Sequence, residues 1–462
     1  MARPCACQDF NRAELLRRGA ARAGRGLPAI EPGMPTPAGT GLSRRSFLLS
    51  SAGLALSVYG AGRLLDPARF EEGIARAAEA NPLPILVTVY LQGGIDGMSV
   101  LYPAGDPLYA QYRPVLGLSP EAGPVFSEDT RLHWHPKAAP LAQLHGEGKV
   151  CAMPAIGYTD PDQSHFTSRH YWEVGATEAD LLSGWLGRYL DLAGTAENPL
   201  QGLCLDDSLQ PSLATTKVPV AALESPSAYS FWSKDVWGPP QEVMYEYFDA
   251  LGRLGIGSPQ AEVQRAGSAA LMSSTLRRQL LPFQSEQEPV LPTGYPKSTG
   301  DFPARMAAIP QLLSAGLPLH CVSLSTDSVF DTHESQAAPL ESNLEEVSQT
   351  LLAFQRDLEA RGLADRVLTL VWSEFGRRAQ ENASAGTDHG AAGCGFLIGT
   401  RVAGRMVGEW PGLQSGLDEL GNLRATADFR GLYCALLEQW LGQEAAPIIP
   451  GAAGFARPML LR

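Results

Sequence analysis

Four short apolar segments recur along the chain, each bounded by polar residues or by glycine and proline. They are rich in β-branched residues and are continuously apolar: residues 84–91, 149–154, 317–324 and 366–372. Continuous hydrophobicity over this length is typical of strands buried on both faces, as in a parallel sheet. The pattern therefore predicts four strands of a central sheet.

Helical periodicity occupies intervals between these segments. Residues 136–145 and 343–361 place apolar side chains at the spacing of one helix face. Alternating strands and helices predict an α/β fold with a doubly wound, mainly parallel central sheet and flanking helices. Residues 205–300 break this alternation with many Pro, Ser and Gln residues, and we predict that they form a helical and loop insertion.

The first 80 residues have a different character. Residues 1–40 lack apolar periodicity, and the pair Arg44 and Arg45 in residues 43–48 precedes an uncharged run at 49–62. This order is typical of a twin-arginine signal peptide, and the run is shorter than the roughly 20 residues of a spanning helix. We predict a disordered leader over residues 1–80, cleaved after Ala80, and a single domain over 81–462. An uncleaved signal anchor is the alternative.

This leader predicts the compartment. The twin-arginine translocase would be a partner during export, and the protein would reside in the periplasm, outside the cell or on the cell surface, without a permanent membrane span. The route usually carries folded proteins, often with a cofactor. A metal acquired before export fits this expectation.

Composition excludes some functions. The 462 residues carry a formal net charge of −13, and the predicted leader holds more basic than acidic residues. The remaining domain is thus more acidic still, which argues against nucleic acid as a partner. Gly93, Gly94 and Gly97 lack the G-x-G-x-x-G spacing of a dinucleotide turn. Five cysteines follow the leader without a C-x-x-C pair, as expected of small core residues.

Candidate chemistry lies where three predicted strands end. Asp96 follows the first strand, Asp331 and His333 follow the third, and Glu374 and Arg377 follow the fourth. In an open α/β sheet the ligand crevice lies beyond the carboxyl ends of the strands, so these loops are expected to converge. Carboxylates and imidazoles that meet there suit a divalent metal.

Each residue also has a structural explanation. Asp96 before a glycine is a common turn, Asp331 could cap a helix, and Glu374 could pair with a surface arginine. Asp388 and His389 could form a polar hairpin tip. Their joint position at strand ends favours a site over these separate explanations.

Several motifs together resemble a known family. They are Gly93-Gly94-x-Asp96-Gly97, His135-Pro136, Ser164-His165-Phe166, Trp172-Glu173, Asp331-Thr332-His333, Ser373-Glu374-Phe375-Gly376-Arg377 and Gly386-Thr387-Asp388-His389-Gly390. From about residue 84 to 399 the chain is similar to the exported bacterial family known as domain of unknown function 1501 (DUF1501). That family in turn resembles the alkaline phosphatase and sulfatase superfamily, which implies an alkaline-phosphatase-like sheet.

The resemblance also implies a chemistry. Superfamily enzymes hold one or two metal ions over the strand ends, where a Ser, Thr or modified Cys attacks a phosphate or sulfate ester. The implied metal is zinc, with manganese or calcium as alternatives, and its implied ligands come from Asp96, Asp331, His333, Glu374, Asp388 and His389. The implied catalytic residues are Ser164 as nucleophile, His165, and Arg377 as the anion-binding group. His165 could act as an acid/base group, a metal ligand or a substrate contact.

Alternatives remain for these assignments. Asp327 could replace Asp331 beside His333, and Ser164 or Asp162 could simply cap the helix that follows. The superfamily generally places an Asp-His pair where this chain has Glu374 and Phe375, and a phenylalanine cannot bind metal. The second metal site is therefore expected to be altered or empty. No Cys-x-Pro-x-Arg or Ser-x-Pro-x-Arg motif is present, which disfavours a formylglycine-dependent sulfatase.

Two functional hypotheses follow. The first is an exported metal-dependent hydrolase acting on a small-molecule or polymeric phosphate or sulfate ester. The second is a degenerate, non-catalytic exported protein that binds a polyanion or glycan or works in a surface assembly, with Trp232, Trp237 and Trp410 available for sugar stacking. For His133 and His135, which flank Trp134, we predict structural roles.

Overall fold

The computed structural model describes residues 56–59, 84–223, 239–283 and 291–462. The predicted twin-arginine motif, the predicted cleavage site, Trp232 and Trp237 lie outside these residues. Within the predicted leader, the structure describes one short strand.

The described strands are numbered in chain order. They are β1 Leu56–Tyr59, β2 Ile85–Gln92, β3 Leu101–Tyr102, β4 His133–Trp134, β5 Val150–Gly157, β6 Gly202–Cys204, β7 Val220–Leu223, β8 Cys321–Val329, β9 Val367–Trp372, β10 Arg377–Glu381, β11 Thr387–His389, β12 Gly393–Ile398 and β13 Ala427–Asp428.

The described α-helices are numbered in the same way. They are α1 Gly97–Val100, α2 Tyr109–Tyr112, α3 Ala139–Gly146, α4 His165–Val174, α5 Trp185–Ala193, α6 Pro239–Ile256, α7 Ala261–Leu280, α8 Phe302–Ser314, α9 Ala337–Ala360 and α10 Phe429–Gln439. Within the described ranges, no helix combines the length and the apolar character needed to cross a membrane.

The chain divides into two compact units. Unit 1 contains Met1–Leu83, Glu178–Val290 and Leu312–Leu324. In it β7 pairs in parallel with β6, β6 pairs in parallel with the start of β8, and β1 pairs antiparallel with β7. Helices α6 and α7, which lie inside the predicted insertion, also belong to this unit.

Unit 2 contains Pro84–Thr177, Leu291–Gln311 and Ser325–Arg462. Its strand order is β2-β9-β12-β5-β13, in which the β2–β9 and β5–β13 pairs are parallel. Strand β12 is antiparallel to both β9 and β5. The connection from β9 to β12 contains only the short hairpin of β10 and β11, which returns the chain without a crossover helix.

The predicted α/β class, with a mainly parallel sheet and helices between its strands, is confirmed. Strands β2, β5 and β9 coincide with three predicted segments, and all their residues are buried. The strand predicted at residues 317–324 starts later, at Cys321, and extends to Val329. Gly316, with φ of 80°, forms the turn that ends α8. The chain leaves this turn before the strand begins at Cys321.

Stacked aromatic rings hold α4 against the sheet of unit 2. Trp172 of α4 stacks on Trp372 of β9 with ring centroids 5.6 Å apart, and Trp372 stacks on Tyr90 of β2 at 4.5 Å. Trp172 also stacks on Phe429 of α10 at 4.5 Å. These large buried rings fix the position of α4, whose first residue belongs to the candidate site.

Candidate metal centre

Three side chains from separate elements converge in unit 2. His165 begins α4, Asp331 follows β8, and His389 ends β11. One potential ligand atom from each lies within 4.8 Å of the other two. His165 and Asp331 are buried in their side chains, and His389 is largely buried. We call these residues the His165–Asp331–His389 cluster.

The partners of the two imidazoles determine which nitrogen faces the cluster. His389 Nδ1 lies 2.8 Å from the backbone oxygen of Gln163, which only accepts, so Nδ1 carries the proton. His165 Nδ1 donates to Glu374 Oε1 at 2.7 Å. The Nε2 atoms of His165 and His389 then lie 3.6 and 3.5 Å from Asp331 Oδ1. Both distances exceed a normal hydrogen bond and leave room for a shared cation.

The two imidazoles of the cluster have opposite pKa shifts. Burial lowers the pKa of His165, but Asp331 and Glu374 more than offset this and raise it overall. Burial lowers the pKa of His389 to about 4, so its imidazole is neutral and Nε2 presents a lone pair. Burial raises the pKa of Asp331, but the three neighbouring histidines and Arg377 more than offset this and lower it well below its usual range. A neutral imidazole nitrogen that faces an ionised carboxylate is unfavourable unless a cation or a proton lies between them. Two imidazoles and one carboxylate are a ligand set that fits a divalent metal such as zinc.

Glu374 orients the cluster from behind. Oε1 accepts from the Gly93 backbone N–H at 3.0 Å and from His165, while Oε2 accepts from the Gly94 N–H at 3.1 Å and from Ser373 Oγ at 2.9 Å. Burial raises the pKa of Glu374, but His165 and the other donors lower it overall. Glu374 was predicted as a metal ligand. In the structure it instead contacts His165 Nδ1 and fixes the orientation of the His165 ring.

Arg377 is fully buried, and its guanidinium forms hydrogen bonds to the loops around the cluster. Its guanidinium donates to the backbone oxygens of Gly93, Gly94 and Thr387, the latter two at 2.8 and 3.0 Å. It also donates to Asp331 Oδ1 at 2.7 Å. Arg377 was predicted to bind a substrate anion, but the structure instead places its N–H groups in contact with the protein itself.

Asp96 does not join the cluster. Its carboxylate accepts from both terminal nitrogens of Arg113, at 2.6 and 3.0 Å, in a pair that is almost completely buried. Asp96 Oδ2 also accepts from Ser99 Oγ at 2.7 Å and from Gln336 Nε2 at 2.6 Å. Asp96 was predicted as a metal ligand, but its carboxylate is instead the acceptor in a buried ion pair with Arg113.

His333 and Asp388 lie at the rim. His333 Nε2 is 3.0 Å from Asp331 Oδ1, and His333 Nδ1 is 3.5 Å from Asp388 Oδ1. Asp388 is exposed and accepts from Asn382 Nδ2 at 3.1 Å. His333 thus contacts the cluster through Asp331 and through the His389 ring, whose centroid lies 4.9 Å from its own.

Ser164 lies between Gln163, whose backbone oxygen contacts the cluster, and His165, which belongs to it. It is the residue before α4 and has an extended backbone, and its hydroxyl makes no capping hydrogen bond to that helix. Its backbone N–H donates to Asp162 Oδ1 at 2.7 Å. The alternative that the Ser164 hydroxyl caps this helix therefore does not agree with the structure.

Phe375 forms an apolar wall of the cluster. Its ring centroid lies 4.8 Å from that of His165 and 4.7 Å from that of His389. Gly94 has a φ of 76°, and a Cβ added there would overlap the Phe375 ring. The glycine therefore allows the turn after β2 to approach this wall.

The other residues considered from sequence have structural partners. Asp327, the alternative to Asp331, pairs with Arg305 at 2.6 Å. His133 stacks on Tyr102, and His135 accepts from the backbone N–H of Lys137, so their predicted structural roles agree with these contacts. Trp410 is buried, which contradicts the expectation that it is available for sugar stacking.

Sequence reasoning missed three contributors. Gln163 acts through its backbone oxygen, which no side-chain pattern reveals. Arg113 and Gln336 meet Asp96 from distant positions in the chain. A buried carboxylate needs such donors, but the sequence does not show which residues supply them.

A comparison with protein-family models found one match, which covers part of the chain. Residues 257–427 match the family described as "Protein of unknown function (DUF1501)". Over this segment the chain is similar to that family. The resemblance predicted from the motifs is thereby confirmed, and the matched segment includes Asp331, Glu374 and His389. No curated protein matches the chain.

Several solved structures are similar to the chain. A sulfatase, PsFucS1 from Pseudoalteromonas sp., is 12% identical with a TM-score of 0.34, covering 82% of this chain and 72% of the sulfatase. A protein in the alkaline phosphatase superfamily from Vibrio parahaemolyticus is 8% identical with a TM-score of 0.35, covering 85% and 78%. The C-terminal periplasmic domain of EcEptC from Escherichia coli, in complex with Zn, is 8% identical with a TM-score of 0.33, covering 78% and 84%.

Proposed function

We propose that this protein is an exported metal-dependent hydrolase of phosphate or sulfate esters. The observation that carries the proposal is the His165–Asp331–His389 cluster, in which two oriented imidazoles face one ionised carboxylate. The superfamily resemblance predicted from the motifs supports this chemistry.

His165 Nε2, Asp331 and His389 Nε2 would hold the metal. Zinc suits two imidazoles and one carboxylate, with manganese or calcium as alternatives. When bound, the metal would act as a Lewis acid on the ester and favour the ionised form of a nearby hydroxyl. Because Asp96 is paired with Arg113 and Phe375 offers no donor atom, one metal per chain is expected.

Ser164 would supply the nucleophile. Its Oγ would form a bond to the phosphorus or sulfur atom as the ester bond to the alcohol breaks, and the alcohol would leave with a proton. Water would then release the acid from Ser164 and restore the hydroxyl. The N-terminal end of α4 directs its dipole toward the anionic group at this position.

A test combines metal analysis with an ester screen. The purified chain should contain close to one zinc, and it should cleave an aryl phosphate, a phosphodiester or an aryl sulfate. His389→Ala should lose the metal, whereas His145→Ala, which removes a histidine paired with Glu128 elsewhere in unit 2, should retain it. Equal metal content in the two variants would contradict the proposed centre.

Export is part of the same proposal. The translocase would recognise the leader through Arg44 and Arg45, so replacing both with lysine should leave the protein in the cytoplasm. Periplasmic or extracellular recovery of that variant equal to the wild type would contradict export by this route. The ester substrate, small or polymeric, would then be encountered outside the cytoplasm.

A second candidate is a non-catalytic protein that binds a polyanion or glycan or works in a surface assembly. The observation in its favour is that Asp96, predicted as a metal ligand, and Arg377, predicted to bind the substrate anion, are used in buried internal contacts. It predicts bound metal without turnover of any ester. Ligand affinity that survives Ser164→Ala would support it over the hydrolase.

A further inference from the structure

Four exposed apolar side chains form a stripe on α6. The exposed fractions of Val243, Tyr247, Leu251 and Leu254 are 48%, 67%, 65% and 74%. Because an α-helix has 3.6 residues per turn, their spacings of four, four and three residues place them on one face. Large apolar side chains gathered in this way on a surface mark a contact site. We call this group the α6 stripe.

The opposite face of α6 already packs within unit 1. A Cβ added to Gly252 would lie 2.9 Å from the Leu271 side chain of α7, and one added to Gly255 would lie 2.9 Å from Gly267. Tyr245 is buried on the same side. Among the described residues, α7 packs on one face of α6 and the stripe lies on another.

The stripe is symmetric about a point near residue 249. A two-fold axis there sets two copies of α6 antiparallel and brings Val243 opposite Leu254 of the second copy, and Tyr247 opposite Leu251 of the second copy. A self-complementary patch of this kind is what a two-fold dimer requires.

The flanking charges have the same symmetry. Glu246 and Arg253 are exposed on one flank of the stripe, and the two-fold axis places Glu246 opposite Arg253 of the second copy. In a parallel pair about a two-fold axis this flank would instead face the opposite flank of the second copy, where α6 carries no charge to pair with Glu246 or Arg253. Charge complementarity therefore favours the antiparallel arrangement.

We propose that the α6 stripe is a homodimer interface in which two copies pair antiparallel about residue 249. A lipid surface is a poorer partner, because α6 carries Glu242, Glu246 and Asp249 against Arg253, and the chain has a net charge of −13. Helices that bind anionic membranes are basic on their polar face. One helix pair is a small interface, so the dissociation constant should be on the order of 10 µM.

Sedimentation velocity of the full chain tests the proposal. Between about 1 and 100 µM the wild type should change from monomer to dimer, and Tyr247→Glu should weaken dimerisation at least about tenfold. Leu420→Glu is the matched control, because Leu420 is 66% exposed in unit 2 and should leave the dimer unchanged. A wild type that stays monomeric, or a dimer unaffected by Tyr247→Glu, would overturn the proposal.

A charge swap tests the pairing itself. Glu246→Arg and Arg253→Glu should each weaken the dimer, and the double variant should restore it, because the two charges then exchange places across the axis. Failure of the double variant to recover would exclude the antiparallel geometry. Metal content is measured in the same samples and should stay constant, which separates this proposal from the hydrolase proposal.

Discussion

Glu374 Oε1 accepts a hydrogen bond of 2.7 Å from His165 Nδ1, and this contact directs His165 Nε2 toward Asp331. The same carboxylate holds the turn after β2 through the Gly93 and Gly94 backbone N–H groups. The buried side chain of Glu374 therefore connects the turn after β2 to His165 and fixes the orientation of this proposed metal ligand.

Glu374→Gln should weaken zinc affinity by roughly 10- to 100-fold, as expected when the partner of a metal-bound histidine is altered. The amide nitrogen of glutamine would face donors, so the ring of His165 would lose its fixed orientation. Competition with a chelator measures the change. Glu345→Gln, which alters an exposed pair with Lys137, is the control and should have wild-type affinity. Equal affinities for the two variants would contradict an orienting role for Glu374.

Asp96→Asn should keep the metal but lose stability. The substitution leaves the Arg113 guanidinium buried without its counter-charge, which typically costs about 3–5 kcal/mol. Urea unfolding and metal analysis of the same sample measure both properties. Adding Arg113→Met to Asp96→Asn should recover part of the stability because no buried charge remains. Loss of metal with unchanged stability would instead show that Asp96 is a ligand.

Acid should remove the contribution of the same pair. Burial raises the pKa of Asp96, but Arg113, Ser99 and Gln336 more than offset this and lower it below its ordinary value. A carboxyl with a lowered folded-state pKa stabilises the fold above its ordinary pKa, and this stability is lost as the pH falls through the folded value. The difference in unfolding free energy between wild type and Asp96→Asn should therefore be full at neutral pH and shrink below about pH 4. A difference that is independent of pH would contradict an ionised Asp96.

Ser164→Ala should abolish ester turnover and leave metal content and stability unchanged. Because the hydroxyl does not cap α4, the loss of about 1 kcal/mol that follows removal of a serine cap is not expected. Turnover, zinc content and thermal unfolding are measured together. Thr167→Ala, on the same helix, is the control and should retain activity. Full activity in Ser164→Ala would remove Ser164 as the nucleophile.

Gly94→Ala should disturb the cluster through Phe375. The new Cβ would overlap the Phe375 ring, which packs against both His165 and His389, so stability and zinc affinity should fall together. Gly421→Ala is a matched control because Gly421 has a similar φ of 79° but no atom within 4 Å of the added Cβ. It should cost only about 1–2 kcal/mol of backbone strain and keep the metal. Equal effects in the two variants would show that contact with Phe375 is unimportant.

Local patterns in the sequence predicted much of the architecture. Strands β2, β5 and β9 were recognisable because strands buried on both faces must be continuously apolar, and α9 because its buried face repeats at helical spacing. Strand β12 was not among the predicted strands, and its antiparallel direction depends on the connection and not on the composition of the strand.

For the candidate site, too, some features were predictable from the sequence and others depended on the tertiary structure. The sequence by itself determined which strand ends carry carboxylates and imidazoles, because these residue types are visible in the chain. Only the tertiary structure decided that Asp331 faces two imidazoles while Asp96 faces Arg113. The physical reason is that a buried carboxylate takes its role from the positive and donor groups packed around it, and here Arg113, His165 and His389 come from elsewhere in the chain.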